Sequence, residues 1–300
     1  MKKVWILVLA AVLLVLFAAT ASAEGPAPEV LSGEQCKMCH AAQYEEWAAT
    51  AHPKSIEDVK ASDHGSEACL HCMSTDYRYD ETLTVETAQY GVTCVACHAP
   101  HETPGDAKPK IADVAEVCKD CHNGHLAEGA AEFEAGSTVR HPTKEMMAGV
   151  GAIGVASVPS KHDMDCTTCH QEGHKYEAKQ EACDTCHGGG KTIEGVAALF
   201  APRLEELGAM ETLAEDHPAA YTNYTMLLSD ASNGVHNVAY ATAILNAIDA
   251  ALGAAPAALP VTGGKLAGWP VWATVGLMAL GLASLTAGAV GLLHGRNRAQ

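Results

Sequence analysis

The chain has 300 residues with 36 acidic and 19 basic side chains, a net charge of −17 with histidine neutral. Such a field repels phosphate, which excludes nucleic acid and anionic membrane surfaces as partners held by charge. Aromatic residues make up only 5%, with three Phe, whereas Cys reaches 12 and His 16, so an ordinary aromatic-rich core is excluded too.

In chain order, the first element is Met1-Lys2-Lys3, an apolar run from Val4 to Ala19, and Ala21-Ser22-Ala23 before Glu24. A basic start, an apolar centre and an A-x-A site describe a secretory signal over residues 1–23, cut after Ala23. The alternative is an uncleaved N-terminal anchor. Both place the body of the chain outside the cytoplasm.

Residues 24–190 hold all twelve cysteines, as six C-x-x-C pairs: Cys36/Cys39, Cys69/Cys72, Cys94/Cys97, Cys118/Cys121, Cys166/Cys169 and Cys183/Cys186. Five pairs are followed at once by a histidine: His40, His98, His122, His170 and His187. With 16 His in 300 residues, that should happen by chance about one time in nineteen, so five in six is a signal. C-x-x-C-H is the attachment site of c-type haem. Two thiols three positions apart leave one helical turn toward the two vinyl groups of a porphyrin, and the next residue offers its imidazole to the iron. Zinc would give no reason for a histidine after each second cysteine. Disulfides suit an exported chain but would rarely all close such small loops. Five or six covalent haems are therefore expected, their apolar faces serving as the core.

The second pair is different, because Met73 follows Cys72. Three readings stay open: haem attachment with Met73 or a distant residue as proximal ligand, haem attachment with one iron face free for a small substrate, or a decayed site without haem. Histidines outside the motifs are the expected distal ligands, among them His52, His101, His125, His141, His162, His174 and His236. His101 and His125 lie three residues beyond a motif histidine, His174 lies four beyond His170, and His162 lies four before Cys166. A histidine so close cannot easily fold back onto its own iron and is aimed at a neighbouring haem. Bis-His iron is low-spin and inert to substrates, which favours electron transfer.

The stretch from Cys36 through Trp47-Ala-Ala-Thr-Ala-His52 to Gly91-Val-Thr-Cys94-Val-Ala-Cys97-His98-Ala-Pro-His101 resembles the multihaem cytochromes related to the tetrahaem partner of hydroxylamine oxidoreductase. The resemblance implies a distal-ligand role for His52, with Thr50 in place of the family's Ser and Met73 in place of its second motif histidine. Further on, Asp230-Ala-Ser232-Asn233-Gly234-Val235-His236-Asn237 resembles the D-x-S-x-G-x-H-N segment of the pentahaem nitrite reductase superfamily, which implies that His236 ligates a haem from outside the haem-bearing region.

Residues 191–252 read as helical. Val196, Leu199, Phe200, Leu204 and Leu207 keep helical period between Thr192 and Glu215, with Pro202 as a kink or break. A second helix is expected over Pro218–Ser229 and a third from about Val235 to Leu252, where His236 and Tyr240 sit one turn apart and that face could meet a haem. Residues 253–268 read as a linker containing Leu259-Pro260-Val261-Thr262-Gly263. This resembles the LPxTG cell-wall sorting signal, which implies sortase as a partner and cleavage between Thr262 and Gly263; the alternative is a plain linker before a permanent anchor. Residues 269–293 carry no charge and are expected to span a membrane, with a basic cytoplasmic tail over 294–300. Without both ends, residues 24–262 keep 14 basic and all 36 acidic groups, a net −22.

The expected fold class is mainly α with much irregular loop, covalent haems as core, then a C-terminal helical segment and a membrane-spanning helix. The expected function is electron transfer at the outer surface, with redox proteins or an extracellular acceptor as partners. The runner-up is a reductase of nitrite, hydroxylamine or a sulfur oxyanion at an open Cys69/Cys72 haem. A third reading is a filament polymerised through haem ligation.

Overall fold

A computed structural model describes residues 27–100, 114–162, 164–170 and 173–253. The signal segment 1–23, His101, the LPVTG motif, the apolar run 269–293 and the tail lie outside the described residues. Among those described, the fold is helices and loops with no named strand; the pairing outside helices is a single parallel bridge between Glu132 and Gly151. The expectation of a mainly α chain rich in irregular loop therefore holds.

The expectation of a membrane-spanning helix is corrected. Among the described residues no helix is long and apolar enough to cross a membrane. The longest, Ile193–Gly208, has 16 residues and carries Glu194, Arg203, Glu205 and Glu206, whereas a span needs about 20 predominantly apolar ones. The membrane contact and transmembrane element expected from 269–293 are no part of the described fold.

The C-terminal part supplies an apolar core of its own. Helix α1 (Ile193–Gly208) is capped by the Thr192 hydroxyl, which accepts from Gly195 N at 2.9 Å, and it continues through Pro202 rather than breaking there. Helix α2 (Pro218–Ser229) begins on a proline, whose missing N–H is no loss in a first turn. Helix α3 (Val238–Ala251) starts later than its apolar period implies, because the Asn237 side chain caps it by accepting from Tyr240 N at 3.1 Å. Phe200, Leu204, Leu207, Met226, Leu227, Ile244, Leu245 and Ile248 bury together, with Val139, Met146 and Ala152 from the preceding segment of loops and the short helix Thr143–Ala148.

Tyr240 is fully buried in this core, and its hydroxyl accepts from Ala152 N at 2.9 Å, so it faces protein rather than a haem. Side-chain amides sew the loop segment onto the helices. Asn237 Nδ2 donates to Met146 O and Val158 O, while Asn223 binds Ile153 through both its amide groups. The expected C-terminal helical segment thus has a protein core of its own. A second, smaller cluster of Ile56, Val59, Leu70 and Ala88 lies in the N-terminal half.

Candidate haem-ligation sites

The C-x-x-C pairs lie on or beside short helical segments; the first begins in the turn Glu34–Lys37, and Cys39 follows it. Leu70–Met73 and Cys94–Cys97 are single turns, Cys166–His170 has five residues, and Val114–Cys121 and Gln180–His187 end on their motifs. The backbone makes one α-turn across a motif: His40 N donates to Cys36 O, His98 N to Cys94 O and His122 N to Cys118 O, each at 2.8 Å. Both thiols therefore leave one turn; the backbone is extended at His98, whereas His170 and His187 are the last residues of their helices. Zinc is not favoured by the geometry, since no group of three or more His, Cys, Asp or Glu is gathered for a metal ion among the described residues.

Several histidine rings lie in pairs. His98 and His174 lie 6.1 Å apart between ring centroids, His170 and His236 6.1 Å, and His187 and His162 6.1 Å; His122 has both His52 and His141 at 6.4 Å. Each pairing joins a motif histidine to one outside the motifs. A metal–nitrogen bond is about 2 Å and the nitrogen lies about 1 Å from its ring centre, so two axial imidazoles on one metal have centroids about 6 Å apart. The observed spacings fit bis-His haem. His52, His98, His141 and His162 are held below their usual pKa chiefly by burial, and His122 is lowered to about 4 by burial together with the surrounding histidines. The neutral imidazole so favoured is the form that ligates a metal.

The comparisons agree. The family described as "Cytochrome c554 and c-prime" matches residues 35–99, and the doubled C-x-x-C-H motif matches residues 87–127. The chain is a multihaem c-type cytochrome. The crystal structure of the outer cell wall cytochrome OcwA is similar at 29% identity and a TM-score of 0.55, covering 70% of this chain and 50% of that one. The undecahaem cytochrome from the S-layer of Carboxydothermus ferrireducens shares the fold at 22% identity and a TM-score of 0.57, covering 75% of this chain and 46% of that one. The cytochrome thus spans about half the length of these structural relatives. Comparison with curated proteins gave no match.

The histidines expected as distal ligands are held by the local fold. Around His52, the Trp47 indole donates to Val92 O at 2.9 Å, the Thr50 hydroxyl donates to Trp47 O and accepts from His52 N, and Val92 N donates to His52 O. The hydroxyl is what the Trp47–His52 segment uses at position 50, and Thr supplies it as well as Ser. His170 sets its Nδ1 3.0 Å from Tyr176 O, and the Tyr176 ring lies 5.4 Å from His52 and 6.0 Å from His174. His236 is joined through Nδ1 to Asp230 Oδ1 at 2.8 Å; burial lowers its pKa, but the hydrogen bond and charge of Asp230 outweigh this and raise it. Nothing in the pattern of cysteines and histidines announced Tyr176. Asp230 stood in the quoted D-x-S-x-G-x-H-N segment, which was its signal.

Other expected ligands are placed elsewhere. His125 lies near His141 and has a left-handed backbone with φ 55°, its N–H on Asn123 Oδ1. Met73 packs with Cys69 and Tyr77 against Ile56, Val59, Leu70 and Ala88, so its thioether belongs to an apolar cluster. Within the same motif, His71 is exposed and faces Asp120 at 3.7 Å. Arg78 binds the His71 and Ala96 carbonyls, Asp120 and the Cys121 thiol, tying this motif to the fourth.

The thiols show which motifs are neighbours. Burial and the adjacent Cys36 push Cys94 up to about 11. Cys97 is raised by burial and then by Cys121. Cys72 is raised by its hydrogen bond with Cys121, and Cys118 by its hydrogen bond with Cys166. Cys169 is raised by burial, then by Cys183 and Cys186. The motifs therefore run first, third, fourth, fifth, sixth in space, with the second beside the fourth. Of the twelve thiols, Cys39 in the first motif and Cys186 in the last are exposed, and the others are partly buried.

Proposed function

We propose that this cytochrome carries electrons outside the cell along a row of five or six covalent haems, between a reducing donor and an extracellular acceptor. The observation behind this reading is the set of ring pairs at 6.1–6.4 Å, each joining a motif histidine to a distant one. Haem c supplies reversible one-electron chemistry, and two imidazoles leave no iron face for a substrate. The chain's part is to attach, space and ligate. Its neighbouring motifs form a continuous series whose first and last members carry the exposed cysteines.

Location at the surface draws support from the similarity to an outer cell wall cytochrome and to an S-layer cytochrome. Covalent attachment at Thr262 is the finer form of the same reading. Intact mass of the matured protein, read beside its ferric absorption and electron paramagnetic resonance spectra, tests the proposal. The expected result is five or six haems, with low-spin signals for the paired sites and a chain ending at Thr262. Predominantly high-spin iron would overturn the electron-carrier reading.

Met73's place in the apolar cluster favours a second reading confined to one site, reduction of a small oxyanion or hydroxylamine at a Cys69/Cys72 haem with an open face. A single high-spin ferric signal that changes on adding nitrite or hydroxylamine is its expected mark. A uniformly low-spin spectrum would exclude it.

A further inference from the structure

The imidazole pairs differ in what stands behind them. His236 Nδ1 lies 2.8 Å from Asp230 Oδ1, and the Asp230 side chain is 0% exposed. By contrast, His170 Nδ1, on the other side of the same pair, faces a neutral carbonyl, Tyr176 O. His174 Nδ1 is buried without a hydrogen bond, with Glu46 Oε2 at 3.9 Å. Glu46 Oε2 instead accepts from the His174 backbone N–H at 3.0 Å, and among the described residues no other ring nitrogen of these pairs has a carboxylate at hydrogen-bond distance. The carboxylate behind His236 is a feature of one site.

That carboxylate is fixed from several directions. The Ser232 hydroxyl donates to Asp230 Oδ2 and accepts from His236 N, and the Ser160 hydroxyl donates to His236 O at 2.9 Å. The turn between Asp230 and His236 runs through three left-handed residues, Ala231 at φ 55°, Asn233 at 48° and Gly234 at 86°. Left-handed Ala and Asn cost conformational energy, and such strain persists where the surroundings impose it. Gly234 is required, since a Cβ there would lie 2.6 Å from the Phe200 ring. The apolar core thus presses on the turn that sets Asp230 against the imidazole.

We infer that Asp230 is a positioning residue that makes His236 an electron-rich axial ligand and gives the Cys166/Cys169 haem the lowest reduction potential of the bis-His sites. This rests on the ligation reading above, in which His236 and His170 share one iron. A histidine whose second nitrogen donates to a carboxylate is a more basic ligand. A more basic ligand and a buried negative charge both favour ferric over ferrous iron, and second-shell hydrogen bonds are among the levers that set haem potential. The Cys166/Cys169 site is the last but one in the spatial series, next to the Cys183/Cys186 motif with its exposed Cys186. An electron reaching that end would pass an uphill step before leaving.

Two variants of the full-length, haem-loaded cytochrome test this by redox titration followed by electron paramagnetic resonance. His236→Ala first identifies the site: one low-spin signal is lost while the haem number by mass is unchanged. Asp230→Asn then keeps an acceptor for Nδ1–H but removes the charge. The expected result is that the same signal stays low-spin but disappears on reduction at a higher potential. The ratio of reduced to oxidised haem at fixed potential rises at least tenfold, about 59 mV for one electron. The other signals stay where they were.

An unchanged midpoint, or conversion of that site to high-spin, would overturn the tuning role. Should Asp230→Asn not mature, Ser232→Ala keeps the carboxylate but removes its hydroxyl donor, and the midpoint is expected to fall; an unmoved midpoint there overturns the inference equally. If His236→Ala removes no low-spin signal, the ligation reading fails, an outcome distinct from failure of the tuning.

Discussion

At the scale of single residues, the proposed ligands depend on close contacts with little tolerance. Gly91 approaches the turn that carries His52 so nearly that a Cβ would lie 2.4 Å from Pro53 O and 2.8 Å from His52 O. Backbone cannot retreat as a flexible side chain does. Gly91→Ala is therefore expected to cost roughly 1–3 kcal/mol, the usual penalty of overpacking. A lowered thermal midpoint, with a perturbed low-spin signal at one site, checks it. His174 gives a cleaner test of ligation, because it meets His98 but belongs to neither apolar cluster. His174→Ala should leave the mass and haem number intact and turn one low-spin site high-spin. Retention of every low-spin signal would place the distal ligand of the Cys94/Cys97 site elsewhere.

At the scale of elements, the cytochrome combines two kinds of local structure. The motif segments are too short to stand as isolated helices, since the first turn of a helix costs more than it returns. The C-terminal helices have a shared apolar core instead, and Asn237 joins them to the loop that precedes His162. It caps α3 and donates to both Met146 O and Val158 O. Removing it loses a cap worth about 1 kcal/mol and strands buried carbonyls at about 1–3 kcal/mol, so Asn237→Ala should destabilise the chain by roughly 2–4 kcal/mol. Denaturant unfolding followed by far-ultraviolet circular dichroism measures this.

The same elements show what could be read beforehand. The six motifs and the α2 boundaries, Pro218–Ser229, were legible because spacing and a starting proline are local signals. The start of α3 lies later than its period implies because Asn237 acts through its side chain, and period leaves open whether Tyr240 faces a protein core or a cofactor, since it cannot tell the two apart. Pro202 reads as a kink or a break in sequence, and of the two the break is absent, since α1 continues through it. The pairings of His98 with His174 and of His170 with His236 bridge 76 and 66 positions, so they follow from the fold and not from any local pattern.

At the scale of the whole molecule, charge and the order of sites act together. The chain carries a net −17, and the exposed cysteines lie in the motifs at the two ends of the spatial series. Opposite charges are steered into encounter and like charges kept apart, an effect that salt screens over about 10 Å at 0.1 M. Electron exchange with a cationic small-molecule acceptor should therefore slow as ionic strength rises, whereas exchange with an anionic one should quicken. Stopped-flow oxidation of the fully reduced cytochrome across a salt series, with one acceptor of each sign and similar potential, reads both slopes. Opposite slopes would mean that the acidic exterior governs which partners reach the haems. Equal slopes would mean that the exchanging site is shielded from the net field, and charge would then give no reason to expect a cationic partner.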